Sequence, residues 1–205
     1  VVAVLNSGYV QLLESMGGDA AVIRNARRCW RSESSGEDAD RKLIRHLLRQ
    51  GHKSPFEAAV FTYDVKTPLF VARQWFRHRM ASYNEESLRY CTALREYYIP
   101  DSLHEEQRQL WVDQQEKAFD AYETLVESGM RKEQARSVLP LGTYTRFFWT
   151  VNGSSLMNFL MLRLDRHAQW EIQQFAQAIF ALARKEAPVI MDEFDAIVVR
   201  PHESS

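Results

Sequence analysis

The spacing of apolar residues changes several times along this chain, and those changes decide what it can build. In Ala59–Lys66 the residues Phe61, Tyr63 and Val65 alternate with their neighbours, the period-two pattern of a strand with one buried face. Thr143–Val151 is rich in β-branched and aromatic residues and reads as another strand. Val1–Leu5 reads as a short one. Elsewhere the spacing is helical. Asp19–Cys29 places Val22, Ala26 and Cys29 on one face, and Glu37–Gln50 carries the stripe Leu43, Ile44, Leu47, Leu48. Leu69–Phe76 is a helix opened by Pro68. The longest helix, His104–Ser128, carries Leu110, Trp111, Ala118, Phe119, Tyr122, Leu125 and Val126. Lys132–Leu139, Ser154–Leu164 and Ala168–Ala187 complete the set. Gly51 stands where a left-handed helix end belongs and Gly129 ends the longest helix, and Pro140 and Pro188 are stops. Ser54-Pro55-Phe56-Glu57 has the form of a capping box. Ser32–Asp40 is a polar loop, and Tyr97–Pro100 is extended. Strands interleaved with helices, and no linker between them, predict one mixed α/β or α+β domain over 1–205.

Charge narrows the partners. The net charge is -1, which argues against a general nucleic-acid binder. No apolar run reaches the roughly 18 residues a membrane span needs. The opening VVAVLNSGYV shows no secretory leader, so the expected location is cytoplasmic. Yet 20 of the 26 basic residues are Arg, whose planar fork suits phosphates and carboxylates. The two cysteines, Cys29 and Cys91, provide neither a metal site nor a disulfide framework and are expected to be reduced. His46, His52, His104, His167 and His202 show no metal-ligand spacing, so no metal is expected.

Polar donors concentrate between aromatic residues in Gln74–Tyr90, QWFRHRMASYNEESLRY. On an extended exit from the preceding helix, Arg77 and Arg79 share one face and His78 takes the other. Two adjacent cations disfavour protonation of His78, so it is expected to be neutral. Arg89 adds a third cation, and Asn84, Glu85 and Ser87 suit a base edge or a sugar hydroxyl. The alternative is a solvated loop with local ion pairs such as Arg79–Glu85.

Arg77-His78-Arg79, seven residues, then Ser87, within RHRMASYNEESLRY, resembles the signature of the flavin-dependent thymidylate synthases, the ThyX family. Gly51–Glu57 (GHKSPFE), Val71–Tyr90, Ala135–Val151 (ARSVLPLGTYTRFFWTV) and Asn158–Glu171 (NFLMLRLDRHAQWE) match in the same order. The resemblance implies an α+β, ThyX-like fold with a central, mostly antiparallel sheet flanked by helices. It implies a homotetramer with active sites between subunits. The implied reaction converts dUMP to dTMP, with 5,10-methylenetetrahydrofolate as carbon donor, FAD as cofactor and NADPH as reductant. By the same resemblance, dUMP falls to Gln74, Trp75, Phe76, Arg77, Glu85, Glu86, Ser87, Leu88, Arg89, Arg136 and Arg163. FAD falls to Ser54, Glu57, Arg77, His78, Arg79, Met80, Glu85, Asn152, Ser154 and Asn158. Arg163 is the implied catalytic residue, stabilising negative charge on the pyrimidine, a role suited to a fixed cation. His167, one helical turn later, is placed to help position it.

A serine nucleophile needs a paired general base, and the surroundings of Ser87 offer mostly Arg and Glu, so with the resemblance its expected role is substrate binding rather than attack. Neither cysteine sits in a matching motif for a nucleophile. The chain departs from the family pattern at three points: Ser154 replaces an Arg expected on the flavin, Leu88 replaces a small residue, and Cys29 stands where Ser is common. Arg146 or another subunit would then have to replace the missing cation. The competing reading is a nucleotide- or nucleic-acid-binding protein without turnover, with the arginines serving only as a phosphate clamp. A third is a structural oligomer subunit.

Overall fold

The computed structural model of this protein describes residues 1–29 and 31–199, so His202 lies outside the described residues. Five strands form one antiparallel sheet: β1 (Val2–Val4), β2 (Gly8–Met16), β3 (Val60–Pro68), β4 (Ser82–Glu85) and β5 (Tyr144–Asn152). Their spatial order is β1-β2-β3-β5-β4, leaving the short β4 at an edge. The long central pair is in register throughout, from Val60 opposite Asn152 to Pro68 opposite Tyr144. The expected alternation holds: Phe61, Tyr63 and Val65 on β3, with Phe147, Trp149 and Val151 on β5, are buried on one face.

Helices cover that face. They are α1 (Gly18–Arg28), α2 (Glu37–Arg49), α3 (Leu69–Trp75), α6 (Gly153–Arg163), α7 (Trp170–Glu186) and α8 (Pro188–Phe194). Their apolar stripes join the sheet in one core, with Val22, Ile44, Leu156, Phe159, Phe175 and Ile190 buried. A second small core forms where α4 (Glu105–Glu127) packs Phe119 and Tyr122 beside Ala93 and Ala135, the last from α5 (Lys132–Ala135). Glu193, almost wholly buried, ties α8 to α2 by accepting from Arg45 Nε at 2.6 Å and Arg41 Nη1 at 3.1 Å. Those guanidinium bonds, Arg45 first, hold its carboxyl below the usual range. No helix is long and apolar enough to cross a membrane among the described residues.

The opposite sheet face is polar and mostly uncovered. Thr62 and Thr150, directly opposite, meet hydroxyl to hydroxyl at 3.0 Å, and Phe148 is half exposed beside them. At one end of this face Lys66 is buried with its Nζ 2.8 Å from Glu96, which also pairs with Arg146 at 3.3 Å.

Several sequence expectations need correction. Strand β2 is not legible in the spacing because a bulge at Leu13 inserts a residue between the Leu12–Tyr63 and Glu14–Thr62 pairs, which breaks the alternation. Cys29 follows the last residue of α1 as its cap and is exposed, not on the buried face. Leu110 on α4 is exposed. Ser54–Ala58 is a 3-10 turn whose cap position is Lys53, with no side-chain cap bond, so the capping box proposed for Ser54 does not form. The Gln107 side chain instead accepts from His104 N, where α4 begins. Gly51 and Gly129 do take positive φ, 66° and 92°, as their places at helix ends require.

Candidate active site

Helix α3 ends at Trp75, and the chain turns through Phe76–Ala81 into β4. Trp75 is fully buried. Its ring lies 4.8–5.9 Å from those of Phe147, Trp149, Phe159 and Phe175. It has no surface to offer a nucleotide, which removes it from the expected substrate set. Phe76 packs its ring 5.0 Å from both Tyr83 and Phe147. The Tyr83 hydroxyl fastens the turn by donating to the carbonyls of His78 at 2.8 Å and Trp75 at 3.3 Å.

Two exposed arginines, Arg77 and Arg79, flank the partly buried His78, but the exit from α3 is a turn closed by His78 N donating to the Trp75 carbonyl at 2.9 Å, not the extended segment expected from the sequence. The imidazole packs edge-on against Phe159, 5.0 Å between centroids, and accepts from Arg163 Nε at 3.0 Å through its Nε2. Burial, and then the Arg163 charge, push its pKa down to about 4. His78 is therefore neutral, as expected, but chiefly through desolvation rather than through Arg77 and Arg79. Accepting at Nε2 fixes the remaining proton on Nδ1.

Arg163 is the last residue of α6 and donates a second bond, Nη2 to the Gln74 carbonyl at 3.1 Å. Burial lowers its pKa from the ordinary arginine value. These two acceptors, an imidazole nitrogen and a peptide oxygen, are uncharged, so neither neutralises the guanidinium. His167 does not continue the helix beneath Arg163. Asp165 accepts from its backbone N at 2.8 Å just past the end of α6, and the ring is exposed.

The acid response of the fold will carry the signature of His78. Folded His78 stays neutral down to about pH 4, whereas an unfolded histidine takes a proton near 6.5. The unfolded chain thus binds that proton first, so stability falls as pH drops from about 6.5 towards 4. His78→Gln keeps an acceptor for Arg163 and does not titrate. Its urea midpoint is expected to fall less than the wild type's between about pH 7 and pH 5. Equal losses in the two proteins would contradict this.

A groove of about 620 Å3 opens over these side chains. Lys53, Arg77, Arg79 and Arg163 are its charged lining residues, and among the described residues no carboxylate lines it. His78, Met80, Ser154 and Asn158 also line it. Such a surface suits an anion. Sequence reasoning missed Lys53, Val151, Ser155 and Leu162 in this lining; Lys53 lay in the quoted GHKSPFE segment but carried no signal of its own. Asn152 is not in the lining and is partly committed, its Oδ1 accepting from Ser155 N at 2.9 Å to cap α6. Ser54 and Glu57 are exposed on the neighbouring 3-10 turn. Gln74 spends its side-chain amide on Gln169 at 2.6 Å.

The remaining expected nucleotide ligands form a separate patch beyond β4. Glu85 accepts from Thr145 Oγ1 at 2.7 Å, and Glu86 N donates to the Arg146 carbonyl at 2.9 Å. The Ser87 carbonyl accepts from the amides of Tyr90 and Cys91, which closes a turn. Leu88 packs against the small core of Phe119 and Tyr122, so its bulk is absorbed there. Arg89 donates to Glu133 on α5 at 3.0 Å, and exposed Arg136 follows on the next turn. The Arg79–Glu85 ion pair does not form. In one chain, Ser87, Arg89 and Arg136 do not line the groove that holds Arg77, Arg79 and Arg163.

In sequence and in architecture this chain is similar to proteins of known kind. Residues 11–189 match the family described as Thy1, thymidylate synthase complementing protein. A flavin-dependent thymidylate synthase of Thermotoga neapolitana is 47% identical over 201 residues, covering 94% of this chain and 93% of the relative. That of a Thermus thermophilus strain is 40% identical over 210 residues, covering 95% of this chain and 78% of its own. A crystal structure of a UMP/dUMP methylase, PolB, from Streptomyces cacaoi bound with 5-Br dUMP superposes with a TM-score of 0.89 at 31% identity, covering 96% of this chain and 98% of that one. The chain belongs to the Thy1 family, that of the flavin-dependent thymidylate synthases.

Proposed function

We propose that this protein is an enzyme that methylates dUMP reductively to dTMP, taking the carbon from 5,10-methylenetetrahydrofolate and using FAD with NADPH as reductant. The observation that carries the reading is Arg163, a partly buried cation held by two neutral acceptors inside a groove lined by further cations. The donor set fits FAD: its diphosphate is an anion that guanidinium and ammonium groups bind well, and Lys53, Arg77, Arg79 and Arg163 line the groove with no carboxylate beside them among the described residues. When bound, the flavin supplies hydride chemistry.

The chain's own residues bind and polarise. Arg163 uses two of its five N–H groups on His78 and Gln74, which leaves three for a substrate. Its charge, in a half-dehydrated position, favours an electron-rich pyrimidine whose C5 can attack carbon, as N3 deprotonation requires. His78 holds the guanidinium plane by accepting at Nε2, and without a positive charge of its own it does not oppose that field. Arg77 and Arg79 serve FAD, with Arg77 also on the nucleotide. Ser87, Arg89 and Arg136 form the nucleotide's other clamp, with Glu85 and Glu86 beside it.

These two patches lie apart on one chain, so a complete site needs a second copy to bring them together. By the family resemblance, that assembly is a homotetramer of single-domain chains with sites between subunits, acting in the cytoplasm. The decisive assay is tritium release from C5-labelled dUMP under anaerobic conditions with FAD, NADPH and methylenetetrahydrofolate. Release that depends on all three is expected. Nucleotide binding without release would favour the clamp without turnover.

A further inference from the structure

Position 154 is the point where this chain lacks a cation that the family pattern leads one to expect, and the groove shows what stands in its place. Arg146 is not the substitute. It lies six residues before Asn152 on β5, about 20 Å away along an extended strand, and its guanidinium is engaged with Glu96 at 3.3 Å. Lys53 lines the same groove wall as Ser154, Ser155 and Asn158. Its placement is set by the backbone. Gly153 N donates to the Ala59 carbonyl at 2.8 Å, and a Cβ on Gly153 would come within 2.7 Å of the Phe56 carbonyl. The 3-10 turn that Lys53 caps is thereby pressed against the first turn of α6, where Ser154 sits. Lys53 is exposed, and among the described residues no carboxylate lines the groove beside it.

We infer that Lys53 supplies the positive charge absent at position 154 and binds the diphosphate of the flavin dinucleotide. An ammonium on a flexible four-carbon stem can reach an anion over a range of positions, and a small serine opposite leaves it room. This rests on the flavin reading above, and it assigns Lys53 to the dinucleotide rather than to the phosphate of dUMP.

Titration of the apoprotein with FAD, followed by quenching of flavin fluorescence, tests it without turnover. Lys53→Ala should weaken FAD binding by about tenfold to a hundredfold, the usual worth of a charge-assisted contact. Lys53→Arg should keep most of the affinity. Adding Ser154→Arg to Lys53→Ala should restore it, because the cation then returns from α6. The gap between wild type and Lys53→Ala should narrow at high salt. Binding of dUMP to the FAD-saturated protein, measured by calorimetry, should be unchanged. If wild type binds FAD and Lys53→Ala binds it within about twofold, the assignment is wrong while the flavin reading stands. Loss of dUMP binding with FAD binding intact would move Lys53 to the nucleotide phosphate and also overturn it. A wild-type protein that binds no FAD defeats both readings.

Discussion

Replacing Arg163 with Ala is expected to lower dTMP formation by at least about a hundredfold to a thousandfold, the range for removing a fixed charge from a polarising site. The melting temperature should change little. Arg163 is partly buried at the end of α6, and its loss frees only the His78 Nε2 and the Gln74 carbonyl at a groove that water can enter. Leaving such acceptors to solvent costs on the order of 1 kcal/mol. Arg163→Lys should fall between the two, because an ammonium keeps the charge but cannot bond His78 and Gln74 in one plane while facing a pyrimidine. Tritium release from C5 of dUMP reads the effect, with thermal melting in parallel. Unchanged turnover in Arg163→Ala would remove this residue from the mechanism.

Trp75 should give the opposite pattern. Its ring sits among four other aromatic rings and joins α3, β5, α6 and α7. Trp75→Ala opens a cavity there and should cost about 3–5 kcal/mol. That corresponds to a fall of roughly 6–20 °C in melting temperature for a chain of this size. Trp75→Phe should cost far less, since the indole N–H has no partner among the described residues and its removal leaves nothing further unsatisfied. The Phe variant should keep its KM for dUMP within about twofold, as expected of a core residue. A tenfold rise in KM without a shift in melting temperature would return Trp75 to the substrate site.

These two residues also show what sequence can and cannot reveal. Both stand in segments that match the family motifs, but a motif records neighbourhood along the chain and not the direction of a side chain. Trp75 occupies the last turn of a short helix whose inner face meets the core, so it turns inward while Gln74 and Arg77 beside it do not. The union of His78 with Arg163 spans 85 residues and rests on how α6 returns beside α3, which no local pattern encodes. Signals that act locally are legible. Glycine at positive φ marks the ends of α2 and α4, and strict alternation marks β3. Where one inserted residue disturbs the period, as at Leu13, the strand disappears from the pattern although its hydrogen bonds persist. His167 fails for a different reason: placing it one turn beyond Arg163 assumed helical geometry past Leu164, where the helix ends and the Asp165 turn begins.

The close approach of Gly153 to the Phe56 carbonyl reaches beyond packing. A bare backbone contact thus brings together two segments nearly a hundred residues apart, and it sets positions 53 and 154 side by side on one wall of the groove. A side chain at position 153 would wedge the two segments apart and spoil that shared wall, so a single uncharged methyl group would weaken anion binding there.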